Sequence, residues 1–283
     1  MKMNDTLYII GNGFDLHHGL NTSYSSFRDN CAKKSTILWG LLTEIYGDSV
    51  NEDMWWSDFE EMLGKIDYNH LIQTYNGEAM GAMKVQNFFQ GMLPPFFGGW
   101  IREMSHKAQE DQSLNIDPES LFFTFNYTLT LENVYHVRTE NVWHIHGSIK
   151  DVDNIVVGHD SDDRKLFGEY LEYKGEHGPI RSDIADRVMN MTARGAKGVK
   201  SRIVRHGEEF SNLYHNIRHI IVMGFSFNDI DLPYIKTIKD VNTNADNIDW
   251  TVYYHSDGND EIIIDRLLQM GAKREHINEP IKW

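Results

Sequence analysis

The sequence predicts an α/β protein: a Rossmann-like, mostly parallel sheet with helices on both faces and a large helical insertion after the first strand. Three observations predict it. Short apolar runs alternate with segments of helical period, the order of a sheet built from right-handed crossovers. The strand bodies are apolar throughout, as in strands buried on both faces. The first of them, Leu7-Tyr8-Ile9-Ile10, runs straight into Gly11-Asn12-Gly13. Strand, glycine turn and helix start is the usual geometry for holding a nucleotide's phosphates.

Taken in order, the elements follow from local chemistry. After the first strand, Thr22 or Ser23 is the expected N-cap of the next helix. Ile37, Leu38, Leu41, Leu42 and Ile45 recur at helical spacing. Ser57 with Glu60 three residues on reads as a capping box, with Glu60 pointing into a pocket as the alternative. Pro94-Pro95 and Gly98-Gly99 are expected to break the region before a helix near Trp100. Leu121 to Phe125 is the second strand, ending in Asn126-Tyr127-Thr128, and a helix follows over Thr130 to Val137. Val142 to Ile145 is a short strand ending in His146-Gly147, and Ile155-Val156-Val157 ends in Gly158-His159. His219 to Met223 ends in Gly224-Phe225-Ser226, and Asp231 before Leu232-Pro233 suits a helix entry. Asp249 to Tyr254 is a strand, Glu261 to Met270 a helix, and the tail is short. The chain thus reads as a single domain over residues 1–283, with helical insertions at about 27–108 and 160–214.

Composition excludes several classes. The 42 acidic against 27 basic residues leave a formal charge of −15, which argues against general nucleic-acid binding. Arg187, Arg194, Lys197, Lys200, Arg202 and Arg205 run against that balance, as a solvated helix face or a local phosphate or RNA contact. Cys31 is the sole cysteine, so neither an intrachain disulfide nor a multi-cysteine zinc site is available. Apolar runs are too short to span a bilayer, and residues 1–5 lack the shape of a signal peptide. A cytoplasmic protein is the expectation.

In open parallel sheets, ligands bind outside the carboxyl ends of the strands. Here those ends carry Gly11-Asn12-Gly13, Asn126, His146-Gly147, Gly158-His159 and Gly224-Phe225-Ser226. His144, His146, His159 and Asp160 are also candidates for a metal cluster, although packing and rim-filling roles suit those histidines better. No metal ligand set is assigned.

These motifs resemble the bacterial AbiH family of phage abortive-infection proteins. The resemblance runs through Ile9 to Leu16, Gly19-Leu20, Thr22 to Tyr24, Trp56 to Glu60, Thr124 to Thr128, His144 to Gly147, Gly158-His159, and Gly224 through Tyr234. More distantly, the order Gly-x-Gly, Thr-x-Asn, His-Gly, Gly-x-Ser is similar to the sirtuin superfamily, including its zinc-free NAD hydrolases. The four zinc-binding cysteines of protein deacylases are missing. The resemblance implies NAD as substrate or ligand, with Asn126 and His146 catalytic at the reacting ribose. It further implies Gly11, Asn12 and Gly13 on the pyrophosphate, Ser226 on a phosphate or ribose, and Asp15 or Asp231 on ribose hydroxyls. On that basis the chain is an NAD glycohydrolase serving phage defence. The alternatives are a nucleotide-binding sensor or scaffold without turnover, and a metal- or RNA-directed nuclease. A phage-encoded trigger or partner protein and a homo-oligomer remain open as partners; a membrane does not.

Overall fold

The computed structural model describes residues 5–67, 70, 71, 74, 75, 80–106, 108, 114–159, 186, 190, 196–254 and 260–283. Contacts divide the chain into two compact units. One comprises Met1–Thr22, Ile101–Lys150 and Val199–Trp283; the other comprises Ser23–Trp100 and Asp151–Gly198.

The first unit is built on six parallel strands in the order β3-β2-β1-β4-β5-β6. They are β1 (Thr6–Ile10), β2 (Leu121–Thr124), β3 (Val142–His144), β4 (His219–Met223), β5 (Asp249–Tyr254) and β6 (Ile281–Lys282). This is the doubly wound order expected of a Rossmann-like sheet, and it reverses direction between β1 and β4. Strand period sorts the side chains onto two faces. Leu7, Ile9, Phe123, Ile220, Val222, Trp250 and Val252 join one core, against residues of helices Gly207–Tyr214, Leu232–Asp240 and Asp260–Gln269. Tyr8, Ile10, Phe122 and Met223 join the other, against Phe14 of helix Asn12–His17 and Leu131 of helix Thr130–Val134. Both faces of the sheet are therefore covered, which is why its strands lack a polar face.

β6 has no counterpart in the expected elements. Its two residues are exposed and carry no apolar run, so only their pairing with Tyr253 and Tyr254 marks them as a strand. Conversely, Ile155 to His159 is not part of the sheet. Outside the sheet, His159 makes a single parallel bridge to Ala196, within the second unit. The helix expected to reach Val137 stops at Val134, and His136 beyond it has φ +55°.

The second unit is helical and aromatic. Ser23 caps helix Tyr24–Lys34 by accepting from the Ser26 N–H, and Ser35 caps helix Thr36–Tyr46 through the Leu38 N–H. Phe27 lies at the centre, with ring centroids 4.9 Å from Trp100, 5.1 Å from Phe97 and 5.7 Å from Phe59. Burying each such ring is worth about 2 kcal/mol. Two local expectations fail here. Ser57 ends helix Asp53–Ser57 and gives its hydroxyl to Met54 O, while helix Phe59–Leu63 starts with no side-chain cap. Pro94 and Pro95 do not interrupt the chain's helical course. They fall in the first turn of helix Leu93–Ser105, where a missing N–H costs little, directly after a π-helical turn at Asn87–Met92. Gly98 lies in the same helix, and a Cβ there would come within 3.3 Å of Val152 and Ile155.

Candidate functional site

The carboxyl ends of β1 and β4 meet backbone to backbone. The Gly11 N–H donates to Met223 O at 3.0 Å and the Gly13 N–H to Gly224 O at 2.8 Å. A Cβ on Gly11 would stand 2.6 Å from Gly224 O, and one on Gly13 2.7 Å from Gly224 Cα. Gly224 itself has φ +62°, and a Cβ there would lie 2.3 Å from the Phe14 nitrogen. Gly-x-Gly is thus required by close packing against Gly224, and the Gly11 and Gly13 amides donate to the protein's own carbonyls. Asn12 is similarly engaged: its Nδ2 donates to Thr22 O at 3.1 Å, and its Oδ1 accepts from Thr22 Oγ1 at 2.6 Å.

Asp15, expected on a ribose hydroxyl, is 1% exposed and faces inward. Its carboxylate accepts from Thr128 Oγ1 at 2.7 Å and Thr130 Oγ1 at 2.8 Å, fastening the loop after β2 to helix Asn12–His17. Burial pushes its pKa up to about 6, against the pull of Thr128, Thr130, the Asn126 amide and the charge of His144.

Asn126 follows β2 and is buried, but it caps no helix. Its Nδ2 donates to Gly11 O at 3.0 Å, its N–H to Thr124 Oγ1 at 3.0 Å, and its carbonyl accepts from His144 Nδ1 at 2.8 Å. One residue thereby ties the ends of β1, β2 and β3 together. His144 reaches on through Nε2 to Glu132 Oε1 at 3.3 Å, and Lys150 Nζ lies 3.1 Å from the same oxygen. Burial raises the Glu132 pKa, but the His144 hydrogen bond and charge, with Lys150, outweigh it and hold the carboxyl below its usual range.

His146 is 1% exposed, and its Nε2 stands 3.2 Å from Asp231 Oδ1. Aromatic rings wall it in: Phe125 at 5.8 Å, Tyr234 at 5.9 Å and Tyr127 at 6.4 Å between centroids. Asp231 occupies the N-cap position of helix Leu232–Asp240, with proline in its first turn as expected. Yet its carboxylate makes no cap and turns to His146 instead. His144 and His146, two residues apart, therefore serve different partners, because β3 ends at His144 and Gly147 bends away with φ +81°. Ser226 is exposed on the loop after β4, and Asp229 is paired with Arg266 at 2.7 Å.

The structure thus gathers Gly11, Gly13, Asn126, His146 and Asp231 at the carboxyl edge of adjacent strands and puts Ser226 on the exposed loop beside them. Gly158-His159 belongs to the second unit. Asp160, Arg187 and Arg194 lie outside the described residues. Among the described residues, no group of three His, Cys, Asp or Glu side chains is placed to hold a metal. The basic run also divides. Lys200 and Arg205 are exposed, and Arg202 donates to Ile145 O at 3.3 Å. Lys197 is buried against Glu60 Oε2 at 2.7 Å, within the second unit. Glu60 therefore points inward to an ion partner and does not cap. Glu132 and Lys150 carried no signal in the sequence: a lone acid on a short helix and a surface lysine are common everywhere.

Among the described residues, no helix is long and apolar enough to cross a membrane. No curated protein matches the chain. Residues 7–93 and 79–254 match the family model described as "Bacteriophage abortive infection AbiH", which spans the Gly-x-Gly turn, Asn126, His146 and the Gly224–Asp231 loop. The chain belongs to the AbiH family of bacteriophage abortive infection.

Proposed function

We propose that this AbiH protein binds NAD or a related nucleotide at the carboxyl edge of its sheet and hydrolyses the N-glycosidic bond as its act of phage defence. The observation that carries this reading is the buried His146–Asp231 pair, held at 3.2 Å on the edge where Asn126 is fastened to Gly11. A base oriented by a carboxylate, beside an amide of fixed direction, suits activation of water.

In the reaction, the bond between ribose C1′ and the nicotinamide nitrogen breaks, and its electron pair stays with nicotinamide. The ribose passes through an oxocarbenium-like state. Water adds to C1′ and gives up a proton to His146, which returns it to solvent; ADP-ribose and nicotinamide are the products. Asp231 orients the imidazole and balances the positive charge formed on it. Asn126 has its Nδ2 committed to Gly11 O, so Oδ1 is the atom it offers to the water or a ribose hydroxyl. Because the Gly11 and Gly13 amides are bonded to Met223 O and Gly224 O, the pyrophosphate relies on Ser226 and its exposed loop.

Incubating the purified chain with NAD and measuring released nicotinamide tests this. Asn126→Ala and His146→Ala are each expected to lower the rate by a factor of about 10² to 10⁴. Equal rates from both variants and the parent would remove these residues from the mechanism. Binding of NAD with no product from the parent chain would instead identify a sensor.

A further inference from the structure

The hydrogen bonds around Asn126 extend to residues that no motif singled out. Its carbonyl can only accept, so His144 Nδ1 must carry the proton of the 2.8 Å bond between them. The other ring nitrogen faces Glu132 Oε1, which Lys150 Nζ also approaches; Lys150 in turn donates to Thr139 Oγ1 at 2.9 Å. Glu132 and His144 are both largely buried, with side chains 10% and 12% exposed. Among the described residues the buried Glu132 Oε2 atom has no hydrogen-bond partner, while Oε1 faces both His144 and Lys150. Such a group is costly to bury, and a surface turn could be closed more cheaply by an apolar contact. What this arrangement secures is direction: two consecutive links, Glu132 to His144 and His144 to the Asn126 carbonyl, fix the peptide from which the Asn126 amide projects.

We propose that Glu132 and His144 are positioning residues for Asn126, holding its amide on Gly11 O so that Oδ1 faces the substrate. The inference rests on the role given to Asn126 above. It assigns no direct contact with the nucleotide to either residue.

The test separates positioning from turnover. Side-chain amide resonances of Asn126 are followed by NMR in the parent, Glu132→Gln, His144→Phe and His144→Asn, alongside nicotinamide release. An asparagine amide nitrogen can stand where Nδ1 stands, so His144→Asn is expected to retain the parent Asn126 signals. His144→Phe is expected to shift them, speed their exchange with solvent about tenfold, and lower kcat by about 10² with little change in KM. Glu132→Gln, close in size and shape, is expected to shift them in the same direction by less, and it keeps the test open if His144→Phe does not fold. Asn126 signals unchanged in His144→Phe, or in Glu132→Gln should His144→Phe not fold, would overturn the proposal. Shifted signals with no nicotinamide released even by the parent would uphold the positioning and remove the hydrolase.

Discussion

The two units handle buried polarity in opposite ways. In the sheet unit, polar groups collect at one edge: Asp15 bonds Thr128 and Thr130, Asn126 bonds Gly11 and His144, and His146 meets Asp231, all at or soon after strand ends. The described interior of the helical unit is dominated by rings, and its conspicuous ionic feature is the single Glu60–Lys197 pair. The difference follows from geometry. Strand bodies satisfy their own backbone, but strand ends release groups that need partners, so a sheet edge accumulates hydrogen-bonding side chains. Helices satisfy themselves along their length, and a buried ion pair between segments is then a fastener and not the floor of a site.

The sharpest way to break the sheet edge is at the β1–β4 contact. Gly224→Ala is expected to cost more than about 4 kcal/mol, combining a positive φ with a backbone clash. Thermal or denaturant unfolding measures it, and a cost under about 1 kcal/mol would show that the two turns are not tightly opposed. Next in size is the fastener of the helical unit. Lys197→Met strands a buried carboxylate and is expected to cost about 3–5 kcal/mol, most of it recovered when Glu60→Leu is added. A double variant as unstable as the single one would mean that Glu60 has another buried partner.

Smaller effects distinguish two buried groups of the sheet unit by pH. The folded-state pKa of Asp15 is raised to about 6 from 3.8, so the folded protein holds more protons than the unfolded chain between those values. Its contribution to stability is full below about pH 4 and is lost as pH rises through about 6. Asp15→Asn should remove that slope, and should cost about 1–3 kcal/mol overall by disturbing the bonds to Thr128 and Thr130. His18 does the reverse. Burial lowers its pKa below 6.5, while its bond to Phe14 O raises it and the charge of His17 lowers it. Its Nδ1 bonds Phe14 O at 2.7 Å, and Nε2 accepts from the Tyr135 hydroxyl at 2.7 Å. The stability that a neutral His18 supports is full above pH 6.5 and is lost as pH falls below it. His18→Gln should flatten that limb in a pH series of unfolding curves. Unfolding curves of unchanged slope in either variant would remove that residue from the account.

Much of the frame was legible in the residues. Leu7 to Ile10, Leu121 to Thr124, His219 to Met223 and Asp249 to Tyr254 are strands for the reason their composition states, and the parallel order follows from the helices between them. The glycine turn was legible as a turn, but the backbone packed against it was not. A glycine needed for a ligand and one needed for a neighbouring backbone look alike until the Gly224 loop is placed beside it. Ser57 and Glu60 matched a capping box by spacing alone, yet a cap depends on where the helix begins, and the helix begins after Asp58. β6 was invisible because two exposed residues have no period; pairing with β5 is their only mark.

The sequence by itself determined the apolar strand bodies, the helical stretches between them and hence a doubly wound parallel sheet with polar strand ends, since period and turn chemistry act over a few neighbouring residues. Only the tertiary structure decided what those ends do. Asp231 lies 85 residues beyond His146 and Gly11 lies 115 before Asn126, and strand register and crossover length alone bring such partners within a hydrogen bond.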